Sequence, residues 1–135
     1  MDLSIFDYTP LTPDQAVHVA RIDEALSLTE TSVLALPSAD DEKFFRDVPV
    51  LFKALAQVIF DNAPDGAIRN SALGQVVHAH MMCMQVRTGY PETLVSTSFA
   101  STANVLGAIG SAGLWARRAI ALEGRAPATS EGIDD

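Results

Sequence analysis

The chain has 135 residues, enough for one domain that buries a core without disulfide staples. An apolar fraction of 48% with 19% charged residues is that of a folded globular protein and excludes a disordered chain. A net charge of −8 repels a phosphate backbone, which argues against general DNA or RNA binding while leaving room for a compact anion held by two or three arginines.

Few aromatics and abundant alanine favour helices over sheets, and no strand-type alternation competes. The expected fold is all-α: an antiparallel bundle of about four helices over residues 1–124, with a loose N-terminal arm and a flexible tail at 125–135. Met1–Asp7 lacks the basic and apolar regions of a secretory leader. A single cysteine, Cys83, forbids an intrachain disulfide and fits a reducing, cytoplasmic setting.

Residues 1–11 read as the irregular arm. Thr12-Pro13-Asp14-Gln15 is a helix start, with Thr12 as cap, Pro13 in the first turn and Gln15 completing a capping box. The first helix is expected from about Pro13 to Leu36, where Pro37 stops it. Its seam, Val19, Ile22, Leu26, Thr29, Val33 and Leu36, has the three-four spacing of a bundle. Ser38 to Asp41 offers a cap before Phe44-Phe45, and Asp47-Val48-Pro49 reads as a restart of the helix. The second helix then carries Val48, Phe52, Leu55 and Ile59 on one stripe, with Leu51 and Val58 beside it.

Asn62 to Gly66 is a turn cluster. The third helix spans about Ala67 to Thr88, with Leu73, Val76, Val77, Met81 and Met84 as its apolar positions and Gly89 and Pro91 ending it. The fourth is expected from Glu92 to Glu123, with Val95, Phe99, Thr102, Leu106, Ile109, Gly113, Ala116 and Ile120 as its stripe. Gly107, Gly110 and Gly113 mark a kink or a close helix approach; without a following lysine or a preceding strand they make no phosphate loop. Thr93 to Ala116 is free of charge, but its serines, threonines and asparagine make it a buried or partner-facing helix rather than a membrane span.

No segment has the pattern of an enzyme, a metal site or a cofactor site. His78-Ala79-His80-Met81-Met82-Cys83-Met84 holds soft ligands that suit copper(I), yet only His18 lies elsewhere to complete a site, and core packing is the preferred reading. Cys83 lacks a recognisable base and oxyanion donors, so it reads as a buried thiol. Asp40-Asp41-Glu42 reads as a solvated first turn, and Asp23-Glu24 and Glu30 as an exposed face. Trp115 beside Arg117 and Arg118 can stack on a base and hold a phosphate, with Arg69 and Tyr8 as further candidates. The same residues also fit an interfacial tryptophan with arginines placed favourably at a helix C-terminus.

Two segments carry a family resemblance. Tyr8-Thr9-Pro10-Leu11-Thr12 leads into a helix reaching Ile22 and Leu26, and Ile109, Ala112, Trp115-Ala116 and Arg118-Ala119-Ile120 form a closing-helix pattern. Together they resemble the phage-encoded anti-CBASS cyclic-oligonucleotide sponges, small helical-hairpin proteins. The resemblance implies a non-enzymatic homo-oligomer that sequesters cyclic di- or trinucleotides between protomers, with Tyr8, Trp115 and Arg118 at the pocket or interface. The chain departs from that pattern in the roughly fifty residues between the segments, in its acidic balance, and in having no lysine in the first helix. The alternative expectation is a structural subunit, such as a phage virion or scaffold component, motivated by the heptad seam of the first helix and the small-residue fourth.

Overall fold

A computed structural model describes residues 10–88 and 102–123. Among them are four helices and no strand: α1 (Pro13–Ala35), α2 (Asp41–Asn62), α3 (Ala67–Thr88) and α4 (Thr102–Ala121), with a 3-10 turn, Leu36–Ser38, after α1. The expected arm up to residue 9, the Gly89 and Pro91 end signals, Val95 and Phe99, and the 125–135 tail lie outside the described residues.

Each helix packs on the next, and α4 closes the ring on α1. The direction of each helix follows from contacts at the two poles. Gln15 Nε2 donates to the Ile120 carbonyl at 2.9 Å, and His18 Nδ1 donates to Asn62 Oδ1 at 2.9 Å. The start of α1 therefore meets the ends of both α2 and α4. At the other pole Val33, Phe44, Cys83 and Val105 line one small cavity, which brings the end of α1, the start of α2, the end of α3 and the start of α4 together. The bundle is thus antiparallel throughout.

Local sequence explains where the helices start. Gln15 N–H donates to Thr12 Oγ1 at 3.1 Å and Thr12 N–H to Gln15 Oε1 at 2.9 Å, the reciprocal capping box. Gln15 thereby serves two helices, because its amide also satisfies a carbonyl in the last turn of α4. Asp40 caps α2 by accepting the Lys43 N–H at 2.8 Å.

The expected restart at Asp47 is corrected. α2 runs unbroken from Asp41 through Pro49. Phe44, Val48, Phe52, Leu55 and Ile59 form one buried stripe, so a break at 47 would throw Phe44 out of register. Burying Phe44 is worth about 1.5–3 kcal/mol and the Asp40 cap about 1 kcal/mol, together comparable with the ~3 kcal/mol cost of an internal proline. Pro49 is exposed, so water can reach the Phe45 carbonyl that it leaves unpaired. Asp47 instead accepts from Lys43 and Arg46, and these bonds hold its carboxyl below its ordinary pKa, Arg46 contributing most.

The α1 seam is as expected: Ile22, Leu26, Thr29, Val33 and Leu36 are buried, and Val19 packs at the edge. Thr29, the polar member, donates to the Ala25 carbonyl at 2.7 Å and leaves no unsatisfied group. α3 has the expected bounds but a different buried face. Ala72, Val76, Ala79, Met82 and Cys83 point inward, whereas Val77 and Met81 are 58% and 56% exposed. The inward face of α4 is alanine-rich to match: Ala108, Ala112, Ala116 and Ala119, with Val105, Ile109, Gly113 and Ile120. Small residues on both sides let α3 and α4 approach closely, and theirs is the most extensive helix pairing in the bundle.

Candidate functional site

The residues singled out in the sequence do not gather in one place. Arg69, in the first turns of α3, is bound within the α2–α3 corner. Its guanidinium donates to Asp65 Oδ1 at 2.8 Å and to the Phe60 carbonyl at 3.3 Å, and sits 4.2 Å over the Phe60 ring centroid. With its side chain 12% exposed, it closes a turn rather than presenting charge to a ligand. Arg117 crosses from α4 to α1 and binds Asp23, its Nε at 3.0 Å from Oδ1 and its terminal nitrogen on the same oxygen. Asp23 is therefore part of an interhelical pair, not of a purely exposed face.

Trp115 is 42% exposed, and Arg118 lies three residues on, along the same side of α4. Arg117 projects about 200° round the helix from Trp115. Within one chain the indole and the two arginines therefore split into a Trp115–Arg118 pair on the α3 flank and Arg117 on the α1 flank. Tyr8 lies outside the described residues.

The histidine–methionine cluster is divided as well. Met82 and Cys83 enter the core and His78 is exposed, so the segment is only partly the core filler expected of it. His80 turns toward α2, its ring centroid 5.6 Å from that of Phe52, with Nε2 buried and without a hydrogen-bond partner. Among the described residues no three histidine, cysteine, aspartate or glutamate side chains converge in a metal-binding arrangement. Burial pushes the Cys83 thiol up to about 11, which keeps it protonated and unreactive at neutral pH.

The cavity beside Cys83 measures about 30 Å³, the scale of one water and too small for a nucleotide. Larger concavities are open grooves between neighbouring helices: about 550 Å³ along α1–α2, about 540 Å³ along α1–α4 and about 330 Å³ along α3–α4. The three α4 glycines serve different ends. A β-carbon at Gly113 would lie 2.5 Å from Leu26 Cδ1, so here α1 crosses close to the α4 backbone, as the glycine-rich stretch suggests. A β-carbon at Gly107 or Gly110 would meet nothing within 4 Å, so packing among the described residues requires neither glycine.

α3 presents a second apolar stripe, Leu73, Val77, Met81 and Met84, on the side turned toward α2 and solvent. Leu73 and Met84 pack at the core edge, and the residues between them stand out. On the neighbouring α2, Phe60 is 51% exposed and Phe45 42%. The signal was present in the sequence, since Leu73, Val77, Met81 and Met84 were among the apolar positions; the core reading fails for Met81, which is exposed, while Met84 packs at the core edge. Among the described residues no helix is long and apolar enough to cross a membrane. No protein-family model matches the chain, and no curated protein or solved structure is found to be similar to it.

Proposed function

We propose that this chain is a non-enzymatic assembly protein that works by docking its outer helix faces on further copies of itself in the cytoplasm. One observation carries the reading: α3 is apolar on two faces, and among the described residues the bundle packs only one of them. An apolar stripe left in water is normally the contact face for another surface. Leaving Val77 and Met81 more than half exposed forgoes roughly 1–1.5 kcal/mol apiece that a covering surface would supply. The inert, buried Cys83 and the scattered charged groups support a role without bond chemistry. Light scattering on wild type and Val77→Asp/Met81→Asp tests it. Self-association that disappears in the double variant, with helicity unchanged, is expected; wild type and variant that are both monomeric at all working concentrations would reject it.

A second reading, sequestration of a cyclic oligonucleotide within an oligomer, is favoured by the half-exposed Trp115 with Arg118 one turn on. Base stacking on the indole would add about 1–3 kcal/mol. Titration calorimetry with cyclic di- and trinucleotides should give heat that Trp115→Ala abolishes; an athermal titration at high micromolar ligand, repeated at a second temperature, eliminates this reading.

A further inference from the structure

The α1–α2 groove joins an apolar floor to a positively charged edge. Its apolar lining is Ala35 and Leu36 at the end of α1, Ala39 in the turn, and Val50 and Leu51 on α2, around a volume of about 550 Å³. Val50 is 67% exposed and Leu51 half-buried, so this apolar surface is open to a ligand. Lys43 and Arg46 stand at the mouth beside Asp47. Lys43 Nζ donates to Asp47 Oδ2 at 3.1 Å and Arg46 Nε donates to Oδ1 at 3.0 Å, so one carboxylate holds two cations in place. Among the described residues, both terminal nitrogens of Arg46 and the other ammonium hydrogens of Lys43 remain unused. Lys53 lies one turn beyond Val50 on the same side of α2. In a chain of net charge −8 with nine lysines and arginines, three of them thus follow one edge of one helix.

This pattern selects an occupant with one anionic head and an alkyl body. The free side of the Arg46 fork matches a carboxylate, and the Lys43 ammonium adds a second donor. Lys43 and Val50 are seven residues, or about 10 Å, apart along α2, a span suited to a medium-length alkyl chain and too short to seat a helix. An extended peptide would bring its backbone N–H and C=O groups against walls whose side chains offer a single hydroxyl, Ser32. An alkyl chain has no such groups to satisfy. We propose that the α1–α2 groove binds a free medium-chain carboxylate, its head on Arg46 and Lys43 and its chain along Leu36, Val50 and Leu51. Asp47 positions the two cations and does not touch the ligand. The site lies apart from the outer stripe of α3 and does not depend on self-association.

Amide-shift mapping by NMR on the full chain tests it, with hexanoate, octanoate and decanoate as probes and decyltrimethylammonium as the cationic control. Shifts should centre on Ala35, Val50 and Leu51, and affinity should rise about two- to fourfold for each methylene added. Lys43→Gln/Arg46→Gln and Val50→Asp should each weaken decanoate at least about tenfold. All three side chains are exposed, so folding is retained, as circular dichroism would verify. Val77→Asp/Met81→Asp should bind decanoate as wild type does. Decyltrimethylammonium binding as tightly as decanoate would overturn the site, because the cations would then select nothing. Shifts that gather on α3 and vanish in Val77→Asp/Met81→Asp would overturn it in favour of the outer stripe. An unshifted spectrum at millimolar decanoate would overturn it outright. None of these outcomes alters the self-association that light scattering measures, so the two readings fail separately.

Discussion

The two long faces of α3 differ less in hydrophobicity than in size. The inner face is built from Ala72, Val76, Ala79, Met82 and Cys83, and the outer from the on average bulkier Leu73, Val77, Met81 and Met84. Ranked by apolar bulk, the outer face would be chosen for the core. The bundle makes the opposite choice because α4 brings its own alanines, and only small partners let two helices come this close. In this pair, burial follows shape complementarity between neighbours, which a single helix considered alone does not display.

The sharpest way to break the comparison is to place one charge on each face. Val76→Asp should cost at least about 3–5 kcal/mol and leave little folded protein, because the carboxylate has no buried partner. Val77→Asp, one residue away, should change stability by less than about 0.5 kcal/mol while reducing association. Denaturant melts of both decide it, and similar losses in the two variants would refute the facing.

The inner face should also carry an alkaline signature. The Cys83 thiol ionises near 9.0 in the unfolded chain and near 11 in the fold. Its contribution is intact below pH 9 and is lost as the pH rises to 11, on the order of 2 kcal/mol. Comparing wild type with Cys83→Ala by urea titration across that range isolates the effect.

A third pair lies on α4. Gly113→Ala forces Leu26 to turn away from the new methyl, for a net loss of about 1 kcal/mol after the gain in helix propensity. Gly110→Ala at a concentration low enough to favour monomers should instead gain up to about 1 kcal/mol. Thermal unfolding gives both signs. The smallest effect is chemical: dilute peroxide should oxidise Met81 before Met82, as peptide mass mapping would show, since one is 56% exposed and its neighbour 5%.

Much of the architecture could be read from the sequence, because its determinants are local. The Thr12–Gln15 box, the Ile22–Leu36 seam and the Val48–Ile59 stripe each depend on residues within a turn or two of one another. Pro49 was misread because the gain from keeping Phe44 in register comes from neighbouring helices. The candidate site was less legible for the same reason. Asp23 and Arg117 are 94 positions apart, and nothing near either in the chain says which helix it will face. Arg69 looked available as an anion ligand because its contact with the Phe60 ring exists only after α2 and α3 have folded back on each other.

The hydrogen bond from Gln15 to Ile120 has a consequence for chain connectivity. It places the entry into α1 beside the exit from α4, and the Ala63–Gly66 turn stands at the same pole. A few residues joining position 123 to position 12, with new ends opened beside Gly66, would reorder the sequence while preserving every seam between helices. The fold is held as a closed ring of four rods, indifferent to which corner is cut.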